Sequence, residues 1–286
     1  MGKANSTHIV GGELNYRYLG ANNYEITLTV YRDCENGIPP FDNPAAVGIF
    51  DVNNLFVDTL MMVFTGSDTI EPTINSPCFV PPTNICYEVT TYIDTINLPP
   101  SIGGYQLAYQ RCCRNYTIQN IINPDNTGAT YYANIPGTGL AATNSNPVFV
   151  NWPPPFICNS VPFTFDHSAI DFDGDSIVYE LCTPYNGANP YIPQPVPPFS
   201  PPYPNVSFAF PFSLSNVIGS IPPMAIDPQT GVLTVTPSLV GQFVVGVCAK
   251  EYRSGVLLSS TRRDFQLNVV NCPFILVAAV QAPTYN

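Results

Sequence analysis

Asp171-Phe172-Asp173-Gly174-Asp175 is the stretch of this 286-residue chain whose residue types and spacing suit metal chemistry. Three carboxylates at alternate positions, bent by a glycine, can converge their oxygens on a hard cation such as calcium. Asp166 stands near enough in sequence to join them. The stretch is not an EF-hand: Gly174 takes the fourth loop position instead of the sixth, and Cys182 takes the twelfth, where a bidentate glutamate belongs. The plain alternative is a solvated acidic turn between strands. Catalytic chemistry has less to draw on. His167 lies between Asp166 and Ser168, but a triad is made by residues that meet in space, not by neighbours in the chain. No GxSxG elbow, HExxH helix or glycine-rich phosphate loop occurs. Trp152 and the 17 tyrosines could stack on sugars, although aromatics in strands more often pack across the sheet.

The nine cysteines are Cys34, Cys78, Cys86, Cys112, Cys113, Cys158, Cys182, Cys248 and Cys272. They form no CxxC pair, and neither His8 nor His167 stands at ligand spacing from one of them, which argues against zinc. Cysteines scattered through a proline-rich, strand-rich chain read as disulfides of an oxidising, export compartment. A hairpin through the turn-rich 79–85 segment would join Cys78 to Cys86. Cys182 and Cys248 flank the core of the second half and are expected to pair. Cys34 is assigned to Cys112 or Cys113, and the other vicinal cysteine to Cys158 or Cys272, since adjacent cysteines rarely bond each other. Nine is odd, so one is left over.

The net charge is −11, with only 9 lysines and arginines. No basic patch is available to displace phosphate counterions, which excludes nucleic acid as a partner. The apolar share is 45%, enough for a buried core. The longest apolar run, Phe274 to Val280, falls far short of the ~20 residues that span a bilayer, so no membrane insertion by this segment is expected. Met1-Gly2-Lys3-Ala4-Asn5-Ser6 matches an N-myristoylation pattern. It reads more simply as the start of a chain whose export signal has been removed.

The elements that would position these residues are strands. Tyr24 to Tyr31, Tyr87 to Ile93 and Tyr105 to Tyr109 alternate with period two, as do Val232 to Val235, Gln242 to Val247 and Asp264 to Val270. Ala21-Asn22-Asn23, Gly103-Gly104 and Asp227-Pro228-Gln229-Thr230-Gly231 mark turns, and the 32 prolines leave no helical window. The expected fold is all-β: tandem antiparallel β-sandwich domains of Ig-like or cadherin-like type, stabilised by disulfides. The domains would be 1–146 and 156–273, joined by a stiff proline-rich linker at 147–155. Residues 274–286 would be a connector or the start of a next module. The second proline-rich stretch, Pro190 to Pro204, reads as a surface excursion between strands.

Asn5-Ser6-Thr7, Asn115-Tyr116-Thr117 and Asn205-Val206-Ser207 match the N-glycan acceptor pattern. Asp58-Thr59-Leu60, Asp68-Thr69-Ile70, Asp94-Thr95-Ile96 and Asp175-Ser176-Ile177 resemble the O-glycan acceptor of exported Bacteroidota proteins. Larger stretches carry a further likeness. His8 to Leu14, Tyr24 to Cys34, Tyr109 to Asn115, Val247 to Arg253 and Arg262 to Gln266 together resemble the N-terminal region of Bacteroidota gliding-motility-associated and PKD-repeat surface proteins exported by type IX secretion. Asp171 to Tyr179 with Ile226 to Leu233 is similar to bacterial Ig-like, cadherin-like domains, whose aspartate-rich turn often binds calcium. The resemblance implies an exported, extracellular, outer-membrane-associated protein at the cell surface. The expected function is a non-enzymatic adhesion or structural module at the N-terminus of a larger protein, contacting a surface polysaccharide or another cell-surface protein. The alternatives are a carbohydrate-binding module of a secreted polysaccharide-active protein, or a subunit that self-associates into a filament or sheath.

Overall fold

The computed structural model describes residues 9–35, 37, 39–70, 82 and 84–272. Their strands in the first half are β1 (Ile9–Gly20), β2 (Asn23–Asp33), β3 (Ala45–Asp51), β4 (Phe56–Met62), β5 (Asp68–Ile70), β6 (Tyr87–Asn97), β7 (Tyr105–Arg111) and β8 (Ala129–Ile135). The second half adds β9 (Val148–Phe149), β10 (Phe156–Cys158), β11 (Phe163–Asp166), β12 (Ala169–Ile170), β13 (Ser176–Leu181), β14 (Ala225–Ile226), β15 (Val232–Val235), β16 (Gly241–Arg253) and β17 (Val256–Val270). The chain is all-β as expected, and no helix of the described residues is long and apolar enough to cross a membrane.

Local chemistry accounts for the long hairpins. In β2 the side chains of Ile26, Leu28 and Val30 are buried while Glu25, Thr27 and Thr29 between them are only partly covered, the period-two pattern of a strand with one face on a core. Ala21 and Asn22 both have positive φ, the geometry of a two-residue turn whose twist matches its strands. Ser254 and Gly255 do the same between β16 and β17.

A single large sheet takes the order β13-β16-β17-β1-β2-β6-β5, with β10 added in parallel to β17. A second sheet, β4-β3-β7-β8, covers the first half. Between them lies a core built from Leu14, Ile26, Leu28, Val47, Ile49, Leu107 and their neighbours. A separate core forms around Phe243, Val245, Val247, Phe265 and Leu267. The large sheet runs unbroken across the position where the sequence suggests two domains. Its seam is the antiparallel pairing of Gly11 with Phe265 and Gly12 with Asp264. Glycine is needed there because a Cβ on Gly11 would stand 2.2 Å from the Asp264 carbonyl oxygen.

The 147–155 stretch is packed against this seam. The Pro147 carbonyl accepts hydrogen bonds from Asn15 Nδ2 and Thr261 Oγ1 at 3.0 and 2.7 Å. Trp152 stacks on Tyr31 with ring centroids 3.4 Å apart, and the Arg263 guanidinium lies 4.9 Å from its ring. Arg263 itself is buried and forks onto Glu13, Nε to Oε2 at 2.7 Å and Nη2 to Oε1 at 3.1 Å. The excursion from Pro190 to Pro204 lies on the outer face of the second sheet. The Phe199 amide donates to Gln110 Oε1 at 2.9 Å, the Pro193 carbonyl accepts from the Cys112 amide at 2.9 Å, and Tyr203 meets Tyr132 edge to face.

Strand register decides the disulfides and corrects most of the expected pairs. Asp33 lies opposite Tyr87, which sets Cys34 beside Cys86 with Cα atoms 5.2 Å apart. Cys34 therefore does not reach Cys112 or Cys113, and Cys86 is not available to Cys78, which lies outside the described residues. Cys112 and Cys113 bond each other across a cis peptide, against the expectation that vicinal cysteines look elsewhere. They are buried together with Ala188. β10 running parallel to β17 brings Cys158 to Cys272, Cα to Cα 5.4 Å. Cys182 pairs with Cys248 as the strand placement suggests.

Candidate metal centre

The acidic turn leads directly into β13, and β13 pairs with β16 through Ser176 opposite Tyr252 and Ile177 opposite Glu251. That register carries Arg253 to Asp175 and Glu251 to the floor of the turn. Asp171 organises the turn itself: its Oδ1 accepts the amides of Asp173 and Asp175, both at 2.9 Å, a side chain closing its own backbone turn. Gly174 supplies the positive φ of 82° that the bend requires.

One oxygen from each of Asp171, Asp173, Asp175 and Glu251 lies within 4.8 Å of the others. Calcium takes oxygen ligands at about 2.3–2.6 Å, so two ligands of one ion stand no more than about 5 Å apart. The set fits that spacing, and it offers only hard oxygen donors. Two of its atoms, Asp171 Oδ2 and Glu251 Oε1, are buried without a hydrogen-bond partner. A buried acceptor with nothing to accept is costly, and a cation is one way to satisfy both.

The surroundings are charged unevenly. Arg253 forks onto Asp175, Nε to Oδ1 at 2.9 Å and Nη2 to Oδ2 at 2.6 Å, and these bonds hold the Asp175 carboxyl below its usual range. Glu251 is fully buried. Burial pushes its carboxyl well above the ordinary range, despite hydrogen bonds from Ser259 and Asn144, and the neighbouring Asp175 and Asp171 add to the rise. Burial likewise raises Asp171. Asn144 ties the site to the first half: its amide donates to Glu251 Oε2 at 2.9 Å and to Tyr16 Oη at 3.0 Å, and its Oδ1 accepts from Arg253 at 3.1 Å. The Ser145 amide donates to Asp173 Oδ2 at 2.5 Å.

The structure therefore gathers Asp171, Asp173 and Asp175 but not Asp166. The Asp166 carboxylate instead accepts the Ser168 amide at 2.8 Å, capping its own turn. Glu251 takes the fourth place. Its sequence signal was present: Val245, Val247 and Ala249 form the inward stripe of β16, and Glu251 continues that stripe at the next alternate position. A carboxylate on the core side of a strand needs a partner.

His167 is only 1% exposed and is walled by Phe165, Phe265 and Phe149, with ring centroids at 4.6, 5.4 and 6.3 Å. Its Nδ1 finds no hydrogen-bond partner. Burial, with the Arg263 charge adding, pushes its pKa down to about 3. The folded chain thus refuses a proton that the unfolded chain takes up below about pH 6.5. Stability is complete above that pH and is lost as pH falls towards 3, by about 2 kcal/mol at pH 5. Denaturant titrations of the parent and His167→Phe should diverge by about that amount between pH 7 and pH 5. Parallel curves would contradict a neutral, buried imidazole.

Of the glycan acceptor patterns, Asn115 is buried and its Oδ1 accepts from Thr117, whereas Asn205 is exposed. No family model, curated protein or solved structure matches this chain.

Proposed function

We propose that this chain is a non-enzymatic adhesion or structural module of an exported surface protein, acting by contact with a surface polysaccharide or another cell-surface protein. The observation that carries the reading is the seam. One sheet passes through both halves, Trp152 is wedged against Tyr31 and Arg263, and the Pro190–Pro204 excursion is strapped over the first half. Such a body presents one fixed surface, which lowers the ordering cost of each contact it makes. The disulfides suit an oxidising exterior. His167, enclosed by phenylalanines and neutral, is badly placed for proton transfer to a substrate. Trp152 has its ring committed to packing, so a sugar platform would fall to exposed aromatics such as Tyr191 or Phe210. Fluorescent chain applied to glycan arrays and to intact cells should give saturable binding without turnover. Turnover of a glycan or peptide, lost in a folded His167→Ala variant, would replace this reading with an enzymatic one.

Calcium belongs to the same proposal, as the ion that completes the Asp171, Asp173, Asp175 and Glu251 set and pins β13 to β16. Binding to the folded state alone stabilises by about 2.7 kcal/mol at a hundredfold excess over Kd. Millimolar calcium should therefore raise the melting temperature and chelator should lower it. Glu251→Gln should abolish the rise and Asp166→Ala should leave it intact. Equal melting of parent and Asp173→Ala with and without calcium would return the turn to a plain acidic loop.

A further inference from the structure

All nine lysines and arginines except Lys3 lie among the described residues, and seven of those eight bind a carboxylate. Arg262 is the eighth. Carboxylates outnumber cations in this chain by 20 to 9, yet none pairs with this one. Arg262 stands on β17 abreast of Cys248 on β16 and Glu180 on β13. The two carboxylates whose charge reaches it are engaged elsewhere, Asp264 with Arg114 and Glu180 with Lys250. Its guanidinium carbon lies 3.7 Å from the centre of the Tyr185 ring. Nη1 donates to the Thr183 carbonyl and stands 3.5 Å from Asn205 Oδ1, whereas Nε and Nη2 have no partner among the described residues. The side chain is half-buried, and a partly desolvated charge without a counter-charge is costly.

Three half-buried tyrosines stand around it. Tyr185 meets Tyr132 at 6.0 Å and Tyr203 at 6.1 Å, and Tyr132 meets Tyr203 at 5.9 Å, all edge to face. Tyr132 and Tyr203 commit their hydroxyls to Gln106 Oε1 and the Phe199 carbonyl, both at 3.0 Å. The Tyr185 hydroxyl has no partner among the described residues. The Tyr185 backbone is fixed, bridged to Asn205 and accepting from Arg114 Nη2 at 3.3 Å. We propose that Arg262 and this cluster bind the carboxylate of a uronic-acid residue in a polysaccharide. The inference rests on the reading that the chain acts by contact with a polysaccharide, and it names the sugar class. A planar guanidinium already stacked on a ring keeps its free N–H edge for a bidentate carboxylate. Tyrosine offers a rigid apolar face with a polar rim, which suits a pyranose with C–H groups on its face and hydroxyls at its edge. Exposed Asn205 adds an amide for those hydroxyls. Locally nothing repels the anion: the 183–226 stretch, which supplies Tyr185, Tyr203 and Asn205, contains no charged residue. A peptide added as a strand is disfavoured, because the wall from Pro184 to Pro204 is rich in proline, which has no amide to donate.

Calorimetric titration of the full chain with oligogalacturonate and oligomannuronate tests this, in chelator so that calcium cannot bridge sugar and acidic turn. At least one free-acid oligomer should saturate, and its methyl ester, the same ring without the charge, should bind at least about tenfold more weakly. Arg262→Gln should bring acid and ester to the same weak affinity. Arg262→Lys should recover only part of the loss, since an ammonium lacks the fork, and Tyr185→Phe should weaken the acid alone by a few-fold. The ester comparison needs no substitution, so it stands even where a variant fails to fold. Equal binding of acid and ester, no binding of either uronate, or acid binding untouched in an Arg262→Gln variant that melts like the parent would overturn the proposal. A neutral glycan bound while the uronates are not would sink this inference and leave the polysaccharide reading standing. Arg262-dependent binding of a peptide with a free C-terminal carboxylate, without any uronate, would sink it in favour of a protein partner.

Discussion

Arg114→Ala is expected to destabilise the chain by about 3–5 kcal/mol, because it strands a buried carboxylate. Arg114 and Asp264 have side chains only 1% and 2% exposed. Arg114 Nη1 reaches Asp264 Oδ1 at 3.0 Å and Nη2 binds the other carboxylate oxygen, while Nε donates to the Gly128 carbonyl at 3.1 Å. Asp264 sits on β17 at the seam, opposite Gly12, and Arg114 follows β7, so the pair bolts the second sheet to the first. Taking both charges out of water costs several kcal/mol per ion, which their attraction offsets only while both are present. The double variant Arg114→Met with Asp264→Leu should therefore recover a large part of the loss. Urea denaturation of the parent, the single and the double variant reads both numbers. A single variant within about 1 kcal/mol of the parent would mean that water solvates Asp264 in place of the guanidinium.

The second large effect is expected at Cys182–Cys248. The bond closes a loop of 66 residues, and chain entropy alone assigns about 4 kcal/mol to a closure of that length. Cys112–Cys113 spans a sequence separation of 1 and excludes few states from the unfolded ensemble, so its loop-closure contribution should be close to nil. Replacing Cys182 and Cys248 together by alanine should lower the denaturation midpoint far more than replacing Cys112 and Cys113. The reverse ranking would show that the vicinal pair acts through packing beside Ala188, and not through the unfolded chain.

Much of this protein is legible from local pattern. Period two in Tyr24 to Tyr31 gives a strand because a pleated backbone turns alternate side chains to one face, and it needs no knowledge of what lies across that face. The paired positive-φ turn at Ala21-Asn22, the all-β class and the bend of Asp171 to Asp175 are local in the same sense. What the tertiary structure decided is which distant strands become neighbours. Residues 147–155 read as a linker from their prolines alone, yet the pairing of β1 with β17 runs one sheet past them and turns Trp152 into packing. Cys34 meets Cys86 because β2 and β6 end side by side, and a hairpin reading of Cys78 and Cys86 has no access to that register. Glu251 joins the acidic turn because β16 lies beside β13, a closeness set by hydrogen-bond pairing over some 75 residues of intervening chain. Sequence spacing pointed to Asp166 in its place. Local chemistry specifies what each segment can be, whereas burial and strand register, which are properties of the whole chain at once, specify what it touches.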